Sequence, residues 1–165
     1  MTTPAESQPG QAINTADLYD ERGEELASLS LQFQSLGGRS RFSGPARTIR
    51  CFQDNALVKS TLATPGNGSV LVVDGGGSLA TALMGDMIAE SAVANGWAGV
   101  VINGAIRDRE AIAGLDLGVK ALGSNPRKSA KAGAGEVDVD VVIDGVTIRA
   151  GATIWCDPDG ILVER

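Results

Sequence analysis

Two unbroken apolar runs, Val70-Leu71-Val72-Val73 and Ala98-Gly99-Val100-Val101-Ile102, stand out from a chain that otherwise mixes polar and hydrophobic positions. Each is closed by a turn pair, Asp74-Gly75 and Asn103-Gly104. Runs without alternation suit strands buried on both faces, as in a parallel pair. Between them Ile88, Ala89, Ala92 and Val93 fall on one helical stripe, Glu90 and Ser91 lie on the other side, and Gly96 is a natural stop. The pattern predicts a strand–helix–strand crossover. The long loop over residues 74–85 and the loop carrying Arg107-Asp108 then both leave carboxyl ends of neighbouring strands, the edge where ligands collect in parallel sheets. The helix start at Gly85-Asp86-Met87-Ile88 opens there too, offering free N–H groups and a partial positive charge to an anion.

The flanking pattern is more irregular. Residues 1–13 are polar and aperiodic and read as a disordered tail ahead of a single domain over residues 14–165. Asn14 or Thr15 caps a short helix running to Leu26, with Leu18, Tyr19 and Leu26 facing inward. Residues 31–45 read as a loop leading to a strand at 46–52. Asp54 or Asn55 caps the next helix, which buries Leu57, Val58, Leu62 and Ala63, and Pro65-Gly66-Asn67-Gly68 breaks the chain. A helical turn at 109–113 and a strand at 118–121 follow. Residues 123–131 form a basic loop, read as a solvated surface loop, with a subunit contact or an anionic partner as alternatives. Val137-Asp138-Val139-Asp140-Val141 alternates and predicts a half-exposed strand. Asp144-Gly145 predicts a hairpin into residues 146–149, and Asp159-Gly160 a turn into a last strand at 161–163. Strands and helices alternate in the front half and strands dominate the back: an α/β chain with a mixed sheet and a β-rich C-terminal half.

Composition narrows the chemistry. At 43% hydrophobic but 4% aromatic, with 22 glycines in 165 residues, the core must be aliphatic. A net charge of −6 argues against direct nucleic-acid binding. No apolar run is long enough to span a bilayer and no secretory signal is read at the N-terminus, so a cytoplasmic protein is expected. Cys51 and Cys156 are most simply small core residues. The absence of histidine removes Ser-His-Asp and Cys-His catalysis and every His-ligated metal site. Any metal would be oxygen-ligated, which points to Mg²⁺ or Mn²⁺. Gly75-Gly76-Gly77 lacks the Gly-Lys-Ser/Thr ending of a phosphate loop and the spacing of a nucleotide-binding glycine motif, which argues against a P-loop or a methyltransferase. Asp86 and Asp108 each stand at a predicted helix start, where Asp is favoured simply as a cap. Arg107 could serve only a surface ion pair, although its place at the strand edge favours ligand binding.

Gly85-Asp86 followed by Arg107-Asp108 resembles the signature of the RraA-like family, which holds the regulators of ribonuclease activity A and the divalent-metal-dependent 4-hydroxy-4-methyl-2-oxoglutarate aldolases. Further segments carry the resemblance: Phe42-Ser43-Gly44-Pro45, Asp54-Asn55, Asp74-Gly75, Lys120-Ala121-Leu122-Gly123, Asn125-Pro126-Arg127-Lys128 and Asp159-Gly160. It implies a swivelling α/β/β sandwich and a ring-shaped homotrimer with active sites between subunits. It further implies that Asp108 holds Mg²⁺ or Mn²⁺, that Arg107 and the backbone of Gly85, Asp86, Met87 and Ile88 bind a pyruvate-like 2-keto acid, and that Asp86 positions water or metal. Such a site would cleave 4-hydroxy-4-methyl-2-oxoglutarate to pyruvate and decarboxylate oxaloacetate, because both reactions pass through the same enolate. The alternative implied by the family is a non-catalytic inhibitor of a ribonuclease E-type endonuclease. The chain departs from longer aldolases in offering no clear equivalent of an acidic residue lent to the neighbour's site, and in carrying Gly151-Ala152 where many relatives carry Gly-Asp.

Overall fold

The structure, a computed structural model, describes residues 12–165. The elements run α1 (Thr15–Arg22), a 3₁₀ turn (Gly23–Glu25), β1 (Leu26–Ser28), β2 (Gln34–Ser35), β3 (Phe42–Arg50), α2 (Ala56–Leu62), β4 (Val70–Asp74) and β5 (Ala82–Met84). They continue with α3 (Asp86–Ala94), β6 (Gly99–Ile106), α4 (Arg109–Ala113), β7 (Gly118–Ser124), β8 (Glu136–Val137), β9 (Val141–Ile143), β10 (Val146–Ile148), β11 (Thr153–Asp157) and β12 (Gly160–Glu164). No helix among the described residues is long and apolar enough to cross a membrane.

The predicted crossover is the centre of the molecule. β4 and β6 pair in parallel, Leu71 beside Val100 and Val73 beside Ile102. Side chains alternate across a strand, and here both faces are covered. Leu71, Val73, Val100 and Ile102 pack under the helices with Val58, Leu62, Ala89, Ala92 and Ile112. Val70, Val72 and Val101 face the other way, against Val141, Ile143, Ile148, Ile154 and Val163 of the β-rich C-terminal half. Helices, parallel sheet and second β layer thus give the expected α/β/β sandwich. The sheet order is β1-β12-β11-β3-β4-β6-β7-β2, with β5 added to β6 and β8 to β3. β3 serves both halves: Phe42 to Pro45 pair antiparallel with β11, and Ala46 to Arg50 pair parallel with β4. Gly99 and Gly118, neighbours on β6 and β7, make room for the Phe42 ring, since a Cβ on either would stand 2.3 or 2.0 Å from it.

Several expectations change. α1 is capped by the Asn14 side chain, which accepts from the Asp17 N–H at 3.0 Å, but it ends at Arg22, because Gly23 turns to φ 57°. Leu26 is buried as a strand residue instead, and Tyr19 is exposed. β3 starts at Phe42 within the predicted loop. Ala63 lies just past α2 and is exposed. The alternating strand over residues 137–141 is broken: Asp138 sits at φ 58°, donates its N–H to the Thr48 carbonyl at 2.8 Å, and pairs its carboxylate with Arg47. Strands β5 and β11 carry no clear sequence signal. The hairpin holds, with Asp144 at φ 53° and Gly145 at φ 71°, both left-handed as a type I′ turn requires. The predicted tail lies outside the described residues except for its last two positions; Ile13 packs against the small cluster of Leu26, Trp155 and Leu162.

Candidate functional site

β5 decides the site. It adds a short parallel strand to the end of β6, placing Met84 beside Ile106, and the Arg107 N–H donates to the Met84 carbonyl at 3.0 Å. The start of α3 is thereby clamped against Arg107-Asp108. The Asp86 N–H donates to Asp108 Oδ2 at 3.1 Å. Asp108 stands at the N-cap position of α4, but its side chain makes no bond to that helix. Its carboxylate is turned instead to the first turn of α3, where the unpaired N–H groups favour an anion. The backbone at Asp108 is left-handed, φ 59° and ψ 44°, a conformation uncommon for any residue but glycine and tolerated best by Asn and Asp. Ordinary capping of its own helix therefore does not explain Asp108.

Arg107 Nε lies 3.9 Å from Asp108 Oδ2, with 42% and 40% of the two side chains exposed. A contact this open is worth at most about 1 kcal/mol, so the guanidinium is left largely available to a ligand. Gly85 permits the approach: a Cβ there would lie 2.8 Å from Asp108 Oδ2 and 3.2 Å from Arg107 Nε. All six residues singled out from sequence, Gly85, Asp86, Met87, Ile88, Arg107 and Asp108, meet at this one edge. Asp86 and Arg107 form a wall shared by two hollows. On one side is a cleft of about 250 Å³, into which Gly85, Asp86, Met87 and Ile88 open. On the other is a shallower surface bordered by Asp108, Glu110 and Ser124. Met87 is 80% exposed at the mouth.

Among the described residues no three His, Cys, Asp or Glu side chains converge to hold a metal. A divalent ion here would rest on the Asp108 carboxylate, with waters and substrate completing its shell. That donor set fits a hard ion such as Mg²⁺ or Mn²⁺, which keeps several waters. Burial pushes the Cys51 thiol up to about 12, with Asp54 and Asp74 adding to the effect, and Cys156 is raised by burial as well. Both cysteines are inert core residues, as expected.

The basic loop after β7 corrects the sequence reading. It is no free surface loop. Asn125 donates its side-chain amide to the Leu79 carbonyl at 2.8 Å, and Ala82 N–H donates to the Arg127 carbonyl at 2.7 Å. The Ser129 hydroxyl donates to the Ala82 carbonyl at 2.7 Å, and Asn55 and Ala130 exchange backbone bonds with their surroundings at 2.9 Å. Asp54 gathers the N–H groups of Ala56, Ala132, Gly133 and Ala134 at 2.9 to 3.3 Å. So fixed, the loop brings Lys128 and Lys131 to the cleft, where Asn55 and Lys59 also stand. The four donors, that of Ala56 first, hold the Asp54 carboxyl below its ordinary value against the opposing effect of burial. A depressed carboxyl contributes stability that is complete above its unfolded value of about 4 and is lost as pH falls through the folded value. Thermal melts between pH 5 and 2.5 should show this loss, and Asp54→Asn should melt lower at pH 7 but fall less steeply in acid. Identical pH profiles would remove Asp54 as the anchor of the loop.

A family model for RraA-like proteins, described as Aldolase/RraA, matches residues 15–163. The RNA-processing inhibitor RraA from Thermus thermophilis is 48% identical, with TM-score 0.89 over 93% of each chain. A Geobacillus kaustophilus structure named as an S-adenosylmethionine:2-dimethylmenaquinone methyltransferase is 46% identical, with TM-score 0.91 over 92% of this chain and 94% of that one. An unusual member of the RNase ES inhibitor RraA family from Streptomyces coelicolor is 30% identical, with TM-score 0.71 over 90% of this chain and 76% of that one. With the family model spanning nearly every described residue, this chain belongs to the RraA-like family.

Proposed function

We propose that the chain is a divalent-metal-dependent lyase that cleaves a carbon–carbon bond beside a 2-keto acid, releasing pyruvate from 4-hydroxy-4-methyl-2-oxoglutarate and from oxaloacetate. One observation carries this reading: the opening of α3, the Arg107 guanidinium and the Asp108 carboxylate share one strand edge, with Arg107 and Asp108 held against Gly85. The N–H groups at the start of α3 and the planar fork of Arg107 bind the keto-acid carboxylate. As the bond beside C3 breaks, its electron pair moves toward the keto oxygen, and Arg107 meets that growing charge with donors already in place. In the aldol substrate Asp86 orients a water that takes the proton of the C4 hydroxyl. In oxaloacetate the same bond breaks with loss of CO₂ and needs no such base. C3 of the enolate is then protonated to give pyruvate. The cation, held by Asp108, supplies Lewis acidity toward the keto oxygen when bound. Met87, exposed at this edge, is consistent with a neighbouring subunit covering it in a homotrimer.

The glycine run favours no nucleotide. Gly75 and Gly77 turn back to donate to the Asn103 carbonyl, each at 3.1 Å, and β5 rather than a helix follows. The second reading, regulation of a ribonuclease E-type endonuclease, is favoured by the 48% identical inhibitor, and it needs neither Arg107 nor Asp108. Pyruvate release should be followed from both substrates with added Mg²⁺ and after EDTA. Activity that requires the cation and vanishes with chelator is expected, since a site with one firm carboxylate ligand holds its ion loosely. Full activity after exhaustive chelation would sink the metal. Absence of turnover together with inhibition of the endonuclease would put the regulator first.

A further inference from the structure

The glycine loop between β4 and β5 encloses an acceptor that nothing in the fold pairs. Asn103, near the carboxyl end of β6, is 8% exposed, and its side-chain Oδ1 is buried with no hydrogen-bond partner among the described residues. Buried side-chain polar atoms are rarely left unmatched. The orientation of the amide is set, because Nδ2 donates to Asp74 Oδ1 at 3.3 Å and a half-turn would put oxygen against carboxylate. The loop has no donor to offer. Gly75 and Gly77 give their N–H groups to the Asn103 carbonyl, Gly76 gives its own to Asp74 Oδ1 at 3.0 Å, and Ser78 to the Gly75 carbonyl at 3.3 Å. Gly77 lies over the orphaned oxygen without a side chain: a Cβ there would stand 3.8 Å from Asn103 Oδ1. The charge beside it is uncompensated too. Asp74 forms no ion pair among the described residues. Arg50, which borders the same hollow as Asp74, is spent on Glu136. An amide oxygen and a carboxylate, joined by one hydrogen bond and short of donors, suit a cation of single charge.

We propose that Asn103 Oδ1 and the Asp74 carboxylate hold a monovalent cation, K⁺ or Na⁺, beneath the glycine loop. The ion matches the single carboxylate in charge. An enclosed pair of oxygens takes an ion that sheds its water, whereas Mg²⁺ dehydrates reluctantly. The ion fastens the loop that leads into β5, for Gly75 packs under Leu83: a Cβ on Gly75 would stand 2.6 Å from that side chain.

Thermal melts of the full chain in EDTA test it, run in KCl, in NaCl and in tetramethylammonium chloride at equal ionic strength. The three salts screen alike, but the organic cation is too large for an enclosed site. One alkali ion should raise Tm saturably, by about 3–6 °C once it stands about tenfold above its dissociation constant. The ion with the larger effect is the one the site selects. Asp74→Asn keeps an acceptor for the Gly76 N–H and removes the charge, so it should fold and lose the difference between salts. Asn103→Asp sets two carboxylates together, so it should melt below the parent in the organic salt and gain more than the parent from the alkali ion. Equal parental melts in all three salts overturn the site and leave water as the partner of Asn103. A difference that survives intact in Asp74→Asn puts the ion elsewhere and overturns it as well. If Asn103→Asp fails to fold in every salt, the parent and Asp74→Asn decide between these outcomes.

Discussion

An Arg107→Lys variant should melt like the parent and lose about 100-fold or more in kcat/KM for oxaloacetate, the size of effect seen when one donor to a developing oxyanion is removed. Lysine keeps the charge but not the planar fork, so it cannot make paired hydrogen bonds to a keto acid. Stability should not follow, because the ion pair with Asp108 is long and open to solvent. Asp108→Asn complements it. Asn tolerates the left-handed backbone that Asp108 adopts, and its amide oxygen can still accept the Asp86 N–H at the start of α3. The cap, worth about 1 kcal/mol, is largely preserved, while the charge that would hold a cation is gone. Metal-dependent turnover should therefore disappear from a folded protein. If both variants turn over oxaloacetate at the parental rate, the motif is structural and the regulator reading leads.

Where the chain is buried on both faces, pattern and structure agree. The runs at 70–73 and 98–102 are the centre of a parallel sheet, as a short apolar run without alternation, closed by a turn pair, suits a strand covered on both faces. Where a segment's conformation depends on distant partners, the local pattern misleads. The alternation over residues 137–141 has the period of a strand, yet Arg47 and Thr48 of β3 capture Asp138 and bend it. β5 is three residues long and exists because β6 extends past its neighbour and leaves an edge to pair. A local reading cannot register such a pairing.

The site divides along the same line. Gly85, Asp86, Arg107 and Asp108 sit at strand and helix ends that the crossover gathers at one sheet edge, which is legible from two apolar runs and a helical stripe, while the clamp that closes them together comes from β5 and is not. The lysines are not. Lys128 and Lys131 reach the cleft through bonds of Asn125 to Leu79, of Ser129 to Ala82 and of three N–H groups to Asp54, partners 46 to 80 residues away in sequence. The one local hint is Asp54 itself, which reads as a helix cap and does cap Ala56, while its remaining acceptor capacity goes to the loop.

Gly85→Ala should separate the fold from the chemistry. The backbone at Gly85, φ −114° and ψ −170°, is extended and open to alanine without strain. Gly85 is the N-cap of α3 without a side-chain cap to lose, and alanine there costs no more than about 1 kcal/mol, a shift of roughly 2–4 °C in Tm for a chain of this size. The added methyl meets no rigid wall. It would stand 2.8 Å from Asp108 Oδ2 and 3.2 Å from Arg107 Nε, the mobile ends of side chains that are each about 40% exposed. Those ends must move, and they are the ones the reaction uses. Displacements near 1 Å at a reacting centre cost about 100-fold in rate, so turnover of oxaloacetate should fall on that scale while the melt barely shifts. A variant that keeps parental kcat/KM would mean that Arg107 and Asp108 need not approach α3 for catalysis. A variant that unfolds would mean that Gly85 is required for packing, and the conformation of Arg107-Asp108 would then serve the fold before the chemistry.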